Sequence, residues 1–306
     1  MEGLPRYTPR SRVMTAIGLS IPDRVPVVPQ ITYTTAQLTG VDFREAARDP
    51  FIMAEALYQG YKRFGYDGVY AGWEASFNIV AEAMGCRLRT PSNNISSVAE
   101  GVVKEEKDID GLKPPDPERD GRLPIYLKVV EILKDRLGDE VPIFSYIPGP
   151  LTLSGLLYRV DRLMLDILMN PEIVYRLNEV SMEASKRFAE AKIRRGVDIL
   201  VLADPTASAS LISPEMFKKF AMPYIEEVMK FVREEGAIPS LHICGKTTPI
   251  LEPMAETGAK ILELDNVVDL GEAKERVGRK ICLMGNVDTT LLLTDCLLYT
   301  SPSPRD

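Results

Sequence analysis

The chain has 306 residues, 45% hydrophobic and 26% charged, with a formal net charge of −7. That balance suits a packed core under a charged surface and argues against a nucleic-acid polyanion as the main partner. No apolar run approaches the roughly 20 residues of a membrane span, the opening MEGLPRYTPRSR lacks the apolar stretch of a signal peptide, and four cysteines (Cys86, Cys244, Cys282, Cys296) are too sparse for a disulfide scaffold. A reducing cytoplasm is the expected location.

Short apolar, β-branched runs alternate with helical patterns. Strands are predicted at 25–30 (VPVVPQ), 67–72, 142–149, 198–204, 238–245, 260–266 and 281–287. Most are near-continuous apolar runs, as parallel strands covered by helices require. Residues from about 90 to 140 read as a polar insertion before the third strand. Asn170 and Pro171 fit the start of a helix with the stripe Ile173, Leu177, Val180, Ala184, Phe188, Ala191, closed by Gly196. Ser213 and Pro214 open the next helix, which Pro223 should kink and Gly236 ends.

Strand, helix, strand repeated in this way defines a doubly wound sheet or a (β/α)8 barrel. No G-x-G-x-x-G follows the first strand, and the even spacing of the last three strands favours the barrel. Seven strands are visible, so the expected fold is an α/β TIM barrel truncated at its C-terminus, as one domain over 1–295, with the eighth strand beyond Asp295. Residues 296–306 (CLLYTSPSPRD) match, residue for residue, the translation of a sequencing-library adapter. They are expected to be an artefact tail.

The only histidine lies in SLHICGK. On a strand, residues i and i+2 share a face, so His242 and Cys244 point the same way with Ser240 below them. The pair sits where barrel enzymes place their chemistry, at the C-terminal end of a strand. An imidazole and a thiolate about 6–7 Å apart along a strand can meet on one zinc ion. A buried cysteine beside a hydrogen-bonded core histidine is the competing reading.

Neighbouring strand ends add acids. Glu263 and Asp265 share a face with Ile261, Asp204 ends the fourth strand, Glu74 follows the second, and Asp288 the seventh, where a loop acid or helix cap is the simpler reading. An inward carboxylate in an apolar strand needs a partner, which singles out Glu263 and Asp265. Tyr146 is either core or a substrate contact. Gly285 and Asn286 read as a tight strand exit that lets a substrate approach. Cys86 and Cys282 read as small core residues, and Trp73 as a pocket wall or a cap on the core.

The segment HICGKTTPILEPMAETGAKILELDNVVDLGEAKERVGRKICLMGNVD resembles the uroporphyrinogen decarboxylase superfamily, as do TPRSRVMTAIGLSIPDRVPV, YIPGPLTL and DPTASASLISPEMFKKFAMPYI. More narrowly, it is similar to the corrinoid-dependent branch, of the methylcobalamin:coenzyme M methyltransferase type. The resemblance covers the chain to about Leu293, and H-x-C-G-x-T is its most specific part. It implies that His242 and Cys244 bind zinc, that a second cysteine ligand follows the eighth strand, and that Asp265, with Glu263 as fallback, takes the remaining position until a thiol arrives. It also implies methyl transfer from a methylcobalamin-type corrinoid on a separate carrier protein to a small thiol. Asp265, Glu263, Asp204 and Tyr146 are then the catalytic candidates, and Gly285, Asn286 and Glu74 the corrinoid contacts. The decarboxylases hold substrate with an arginine-rich loop and an aspartate after the second strand; here QITYTTAQLTG has no arginine and the second strand ends GWEAS. A decarboxylase-like lyase and a non-catalytic corrinoid-binding barrel remain the alternatives.

Overall fold

The computed structural model describes residues 7–73, 76–91, 95–288 and 290–291. Eight strands occur among them: β1 (Val69–Tyr70), β2 (Arg87–Arg89), β3 (Ser97–Glu100), β4 (Ile143–Pro148), β5 (Ile199–Ala203), β6 (Ile238–Ile243), β7 (Ile261–Leu264) and β8 (Cys282–Met284). Six form one parallel sheet in the order β1-β4-β5-β6-β7-β8, and β2 pairs with β3 antiparallel.

The sheet curls. β1 and β7 are four interstrand steps apart, about 19 Å in a flat sheet, yet the Tyr70 hydroxyl lies 3.0 Å from Glu263 Oε1. Alternation along the strands therefore separates two apolar bodies. A large one lies between sheet and helices, and includes Ile143, Ile147, Leu200, Leu202, Leu241 and Leu262. A smaller one fills the concave face with Tyr70, Phe144, Ile199, Val201 and Ile261, joined by Val13 from the Pro9–Ile17 helix.

The helical readings hold in their main lines. The helix Pro171–Ile193 buries Ile173, Leu177, Ala184, Phe188 and Ala191, and Gly196 turns the chain after it at a φ of +99°. Ser213 caps the next helical segment by accepting from Met216 N, and a π turn over Phe217–Ala221 precedes the Met222–Glu234 helix. Pro223 lacks an N–H, so the widened turn falls where the ordinary ladder would lose a bond.

Two expectations are corrected. The run 25–30 is not a strand. Pro26 and Pro29 have no N–H to give to a ladder, and the run is tethered at Val27, whose N donates to Asp67 Oδ2 (2.8 Å) and whose O accepts from Asp67 N (2.7 Å). The segment from about 90 to 140 is not merely a polar insertion. It carries β3 and a helix, Leu123–Leu137, that buries Leu123, Tyr126, Leu127, Val130 and Leu133 against the core. No helix among the described residues is long and apolar enough to cross a membrane. The tail 296–306 lies outside the described residues.

Candidate metal centre

β6 delivers His242 inward and ends at Ile243, leaving Cys244 exposed just past the strand. His242 Nε2 and Cys244 Sγ stand 2.9 Å apart, so the two donors predicted to share a face do converge. The turn that follows is tightly built. Gly245 has a φ of +77°, and a Cβ there would lie 2.8 Å from Ser210 Oγ and 3.0 Å from Ser208 Oγ. Only glycine lets the loop after β5 close against this turn. Ser210 Oγ then accepts from Lys246 N at 3.0 Å.

Behind the imidazole stands Glu263. The β6–β7 register pairs His242 with Glu263, and Glu263 Oε2 lies 3.3 Å from His242 Nδ1, an ion-pair distance without hydrogen-bond alignment. The carboxylate also accepts from Tyr70 (3.0 Å), Ser240 Oγ (3.2 Å) and Gln30 Nε2 (2.9 Å), and is only 2% exposed. A carboxylate at Nδ1 favours the tautomer that leaves Nε2 free to bind a metal. Burial alone would lower the imidazole pKa, but Cys244 and Glu263 outweigh it and raise it to about 10.

Tyr146 stacks on Tyr70 with ring centroids 5.1 Å apart. Burial, then the charge of Glu263, drives both phenols well above their ordinary value, and Cys244 adds to the effect on Tyr146. Tyr146 thus packs with Tyr70 on the concave side of the curled sheet, beside Glu263 and the His242–Cys244 pair, the space called the chamber below. Gln30 and Tyr70 were not singled out from the sequence. The inward alternation of the 67–72 run was the one available signal for Tyr70, and nothing local marked Gln30.

Other candidates sit differently. Asp265 Oδ2 accepts from Gly245 N (2.6 Å) and Oδ1 from Val267 N (3.4 Å), so it braces the turn after Cys244, and Glu263 rather than Asp265 faces the histidine. β7 stops at Leu264, so Asp265 leaves the ladder and no longer shares a strand face with Glu263. Asp204 is fully buried and accepts from Leu151 N (3.3 Å), Thr152 N (2.8 Å) and Thr152 Oγ1 (2.6 Å). It holds the start of the Pro150–Tyr158 helix instead of facing the chamber, and burial, against those donors, pushes its pKa up to about 6. A Cβ on Gly285 would meet Leu264 O at 2.5 Å, so the missing side chain there makes room for backbone. Asn286 Nδ2 donates to Asp265 O (2.9 Å) and Val268 O (2.6 Å), tying the exits of β7 and β8 together. Asp288 accepts from Thr290 N, as a cap does. Trp73 is buried and stacked on Phe43, Cys86 is buried, and Glu74 lies outside the described residues.

Among the described residues no three histidine, cysteine or acid side chains are placed to share a metal ion. The imidazole and thiol nonetheless form a nitrogen–sulfur donor pair suited to zinc, and the carboxylate behind Nδ1 is the partner that a zinc-binding histidine usually has. The residues present fit two positions of a zinc site.

Fold and site together define an α/β enzyme scaffold with a histidine–cysteine pair at the C-terminal end of a parallel strand. The Uroporphyrinogen decarboxylase (URO-D) family model matches residues 8–296, and the chain belongs to that family. It is 30% identical to the methylcobamide:CoM methyltransferase MtbA of Methanosarcina acetivorans, over 95% of this chain and 85% of that protein. It is 27% identical to the uroporphyrinogen decarboxylase of Alkalilimnicola ehrlichii, over 95% of this chain and 80% of that one. A solved methyltransferase from Methanosarcina mazei superposes with a TM-score of 0.84 at 28% identity, covering 92% of this chain and 83% of that one.

Proposed function

We propose that this protein is a methyltransferase that moves a methyl group from a methyl-corrinoid, delivered on a carrier protein, to a small thiol such as coenzyme M. The observation that carries the reading is the His242–Cys244 pair at the end of β6, backed by Glu263. Porphyrinogen decarboxylation gives no reason for such a pair, and a passive corrinoid holder gives none for a buried carboxylate behind the imidazole. His242 and Cys244 would hold zinc, which when bound lowers the pKa of an incoming thiol so that it reacts as thiolate. Glu263 orients the imidazole through Nδ1, and the Asp265–Gly245 bond holds the turn that presents Cys244. Tyr70 and Tyr146 wall the chamber and keep bulk water from the carboxylate.

The reading takes residues 1–295 as one barrel domain whose remaining barrel strands and third zinc ligand lie outside the six-stranded sheet described, 296–306 as a non-native tail, and the cytoplasm as location. The curl of the sheet supports the barrel, as does the outer edge of β8, which no strand among the described residues pairs with. The test combines zinc analysis of His242→Ala and Cys244→Ala with an absorbance assay of methylcobalamin demethylation by coenzyme M. Loss of zinc and of transfer in both variants is expected. Full zinc occupancy in either, or transfer unaffected by a chelator, would overturn the assignment.

A further inference from the structure

One buried ionisable group lies outside the chamber yet touches its wall from behind. Lys192, on the last turn of the Pro171–Ile193 helix, is 1% exposed, and desolvation drives its amine well below the ordinary lysine value. Its Nζ lies 4.1 Å from the centroid of the Phe188 ring, and donates to Ser145 Oγ (2.9 Å) and to the Tyr146 carbonyl (2.5 Å). Ser145 in turn donates to the Ala71 carbonyl at 3.0 Å.

The position of these bonds in the sheet gives them meaning. Along the β1–β4 edge, Val69 N donates to Pro142 O and Ala71 N to Phe144 O. The next acceptor in that alternation is Tyr146 O. The neighbouring chain turns away at Gly72, whose φ is +125°, and Lys192 Nζ donates to Tyr146 O where the ladder would have continued. One helix side chain therefore extends the strand pairing by one step, directly beneath Tyr146. Placing an amine there carries a desolvation cost that an aliphatic side chain would avoid.

We infer that Lys192 is a positioning residue of the methyl-transfer site: from the helix side of the sheet it sets Tyr146 against Tyr70, and through Tyr70 the Glu263 carboxylate behind His242. The inference rests on the proposed function for its catalytic consequence, while the mechanical coupling stands apart from it. Tyr146 stacks on Tyr70, and Tyr70 donates to Glu263 Oε1, so a shift of the β4 backbone at residue 146 is passed to that carboxylate.

The test is Lys192→Met, similar in length and apolar, in the whole chain. Its melting temperature is expected to stay close to that of the parent, since the relieved desolvation of the amine offsets the Tyr146 carbonyl left without its donor. The near-ultraviolet circular dichroism of the tyrosines is expected to change, and kcat for demethylation of methylcobalamin by coenzyme M to fall about tenfold with little change in KM, as a misplaced wall residue does. On a Tyr146→Ala background the same substitution should have no further effect on kcat, because there is no ring left to position. Ser145→Ala, which leaves the lysine in place, should shift the dichroism in the same direction by less, and it decides the coupling if Lys192→Met does not fold. Parental dichroism and kcat in Lys192→Met would overturn the inference. So would an additive loss on the Tyr146→Ala background, or a loss of activity that merely follows a lowered melting temperature. If the parent transfers no methyl group, the functional reading fails on its own, and the dichroism of the two variants still decides the coupling.

Discussion

Substituting Glu263 by glutamine changes one charge and little volume, at the point where four side chains meet. Oε1 receives Tyr70 and Ser240, and a glutamine oxygen there keeps both. The new amide nitrogen instead faces Gln30 Nε2 and His242 Nδ1. Gln30 can adapt by turning its own amide over. The imidazole cannot, because its Nε2 is engaged with Cys244. The net loss is one interaction with a buried charge, about 1.5–3 kcal/mol, and zinc affinity is expected to fall about 10–100-fold with the loss of the orienting carboxylate. Glu263→Ala should be worse in stability, about 3–5 kcal/mol, since it leaves the Tyr70, Ser240 and Gln30 donors buried without their acceptor. Asp265→Asn should retain most of the zinc, because Asp265 serves the backbone of the turn. Competitive zinc titration and urea denaturation of the metal-free variants provide the measurements. A Glu263→Gln protein with parental zinc affinity, or an Asp265→Asn protein that loses more zinc than Glu263→Gln, would refute the argument.

Asp204 should make stability fall with rising pH. Its folded pKa of about 6 lies above the ordinary 3.8, so the folded chain binds the proton more tightly than the unfolded one does. This group's contribution is complete below about pH 4, declines through about pH 6, and amounts to about 3 kcal/mol. The urea midpoint measured across that range should show the decline, and Asp204→Asn should flatten it. Asp67 accepts from Arg12 Nη1 (2.6 Å), Arg24 Nη1 (2.5 Å) and Val27 N (2.8 Å), and is fully buried. Asp67→Ala leaves two arginines short of a partner and should cost about 3–5 kcal/mol by chemical denaturation. A cost under about 1 kcal/mol would show that the pair behaves as a surface ion pair.

Local pattern was enough for much of this protein. Period-two alternation placed His242 and Cys244 on one face, near-continuous apolar runs marked β4, β5 and β6 as buried parallel strands, and Asn170–Pro171 and Gly196 bounded the long helix. These features depend on residues a few positions apart, so the sequence alone carries them. The choice between Glu263 and Asp265 does not. Both face inward only while β7 continues, and it stops between them, so the register of β7 on β6 and the end of the strand decide which acid meets the histidine. Gln30 and Tyr70 are 233 and 193 residues from Glu263 in sequence. The curl of the sheet brings Tyr70 to it, and the Val27–Asp67 tether holds the run that carries Gln30 alongside. Asp204 follows its strand just as Cys244 follows its own, yet it turns to a helix N-terminus that only tertiary packing supplies. The run 25–30 has the apolar character of a strand, but two prolines remove the donors that pairing needs, so Val27 is held instead by the buried carboxylate of Asp67.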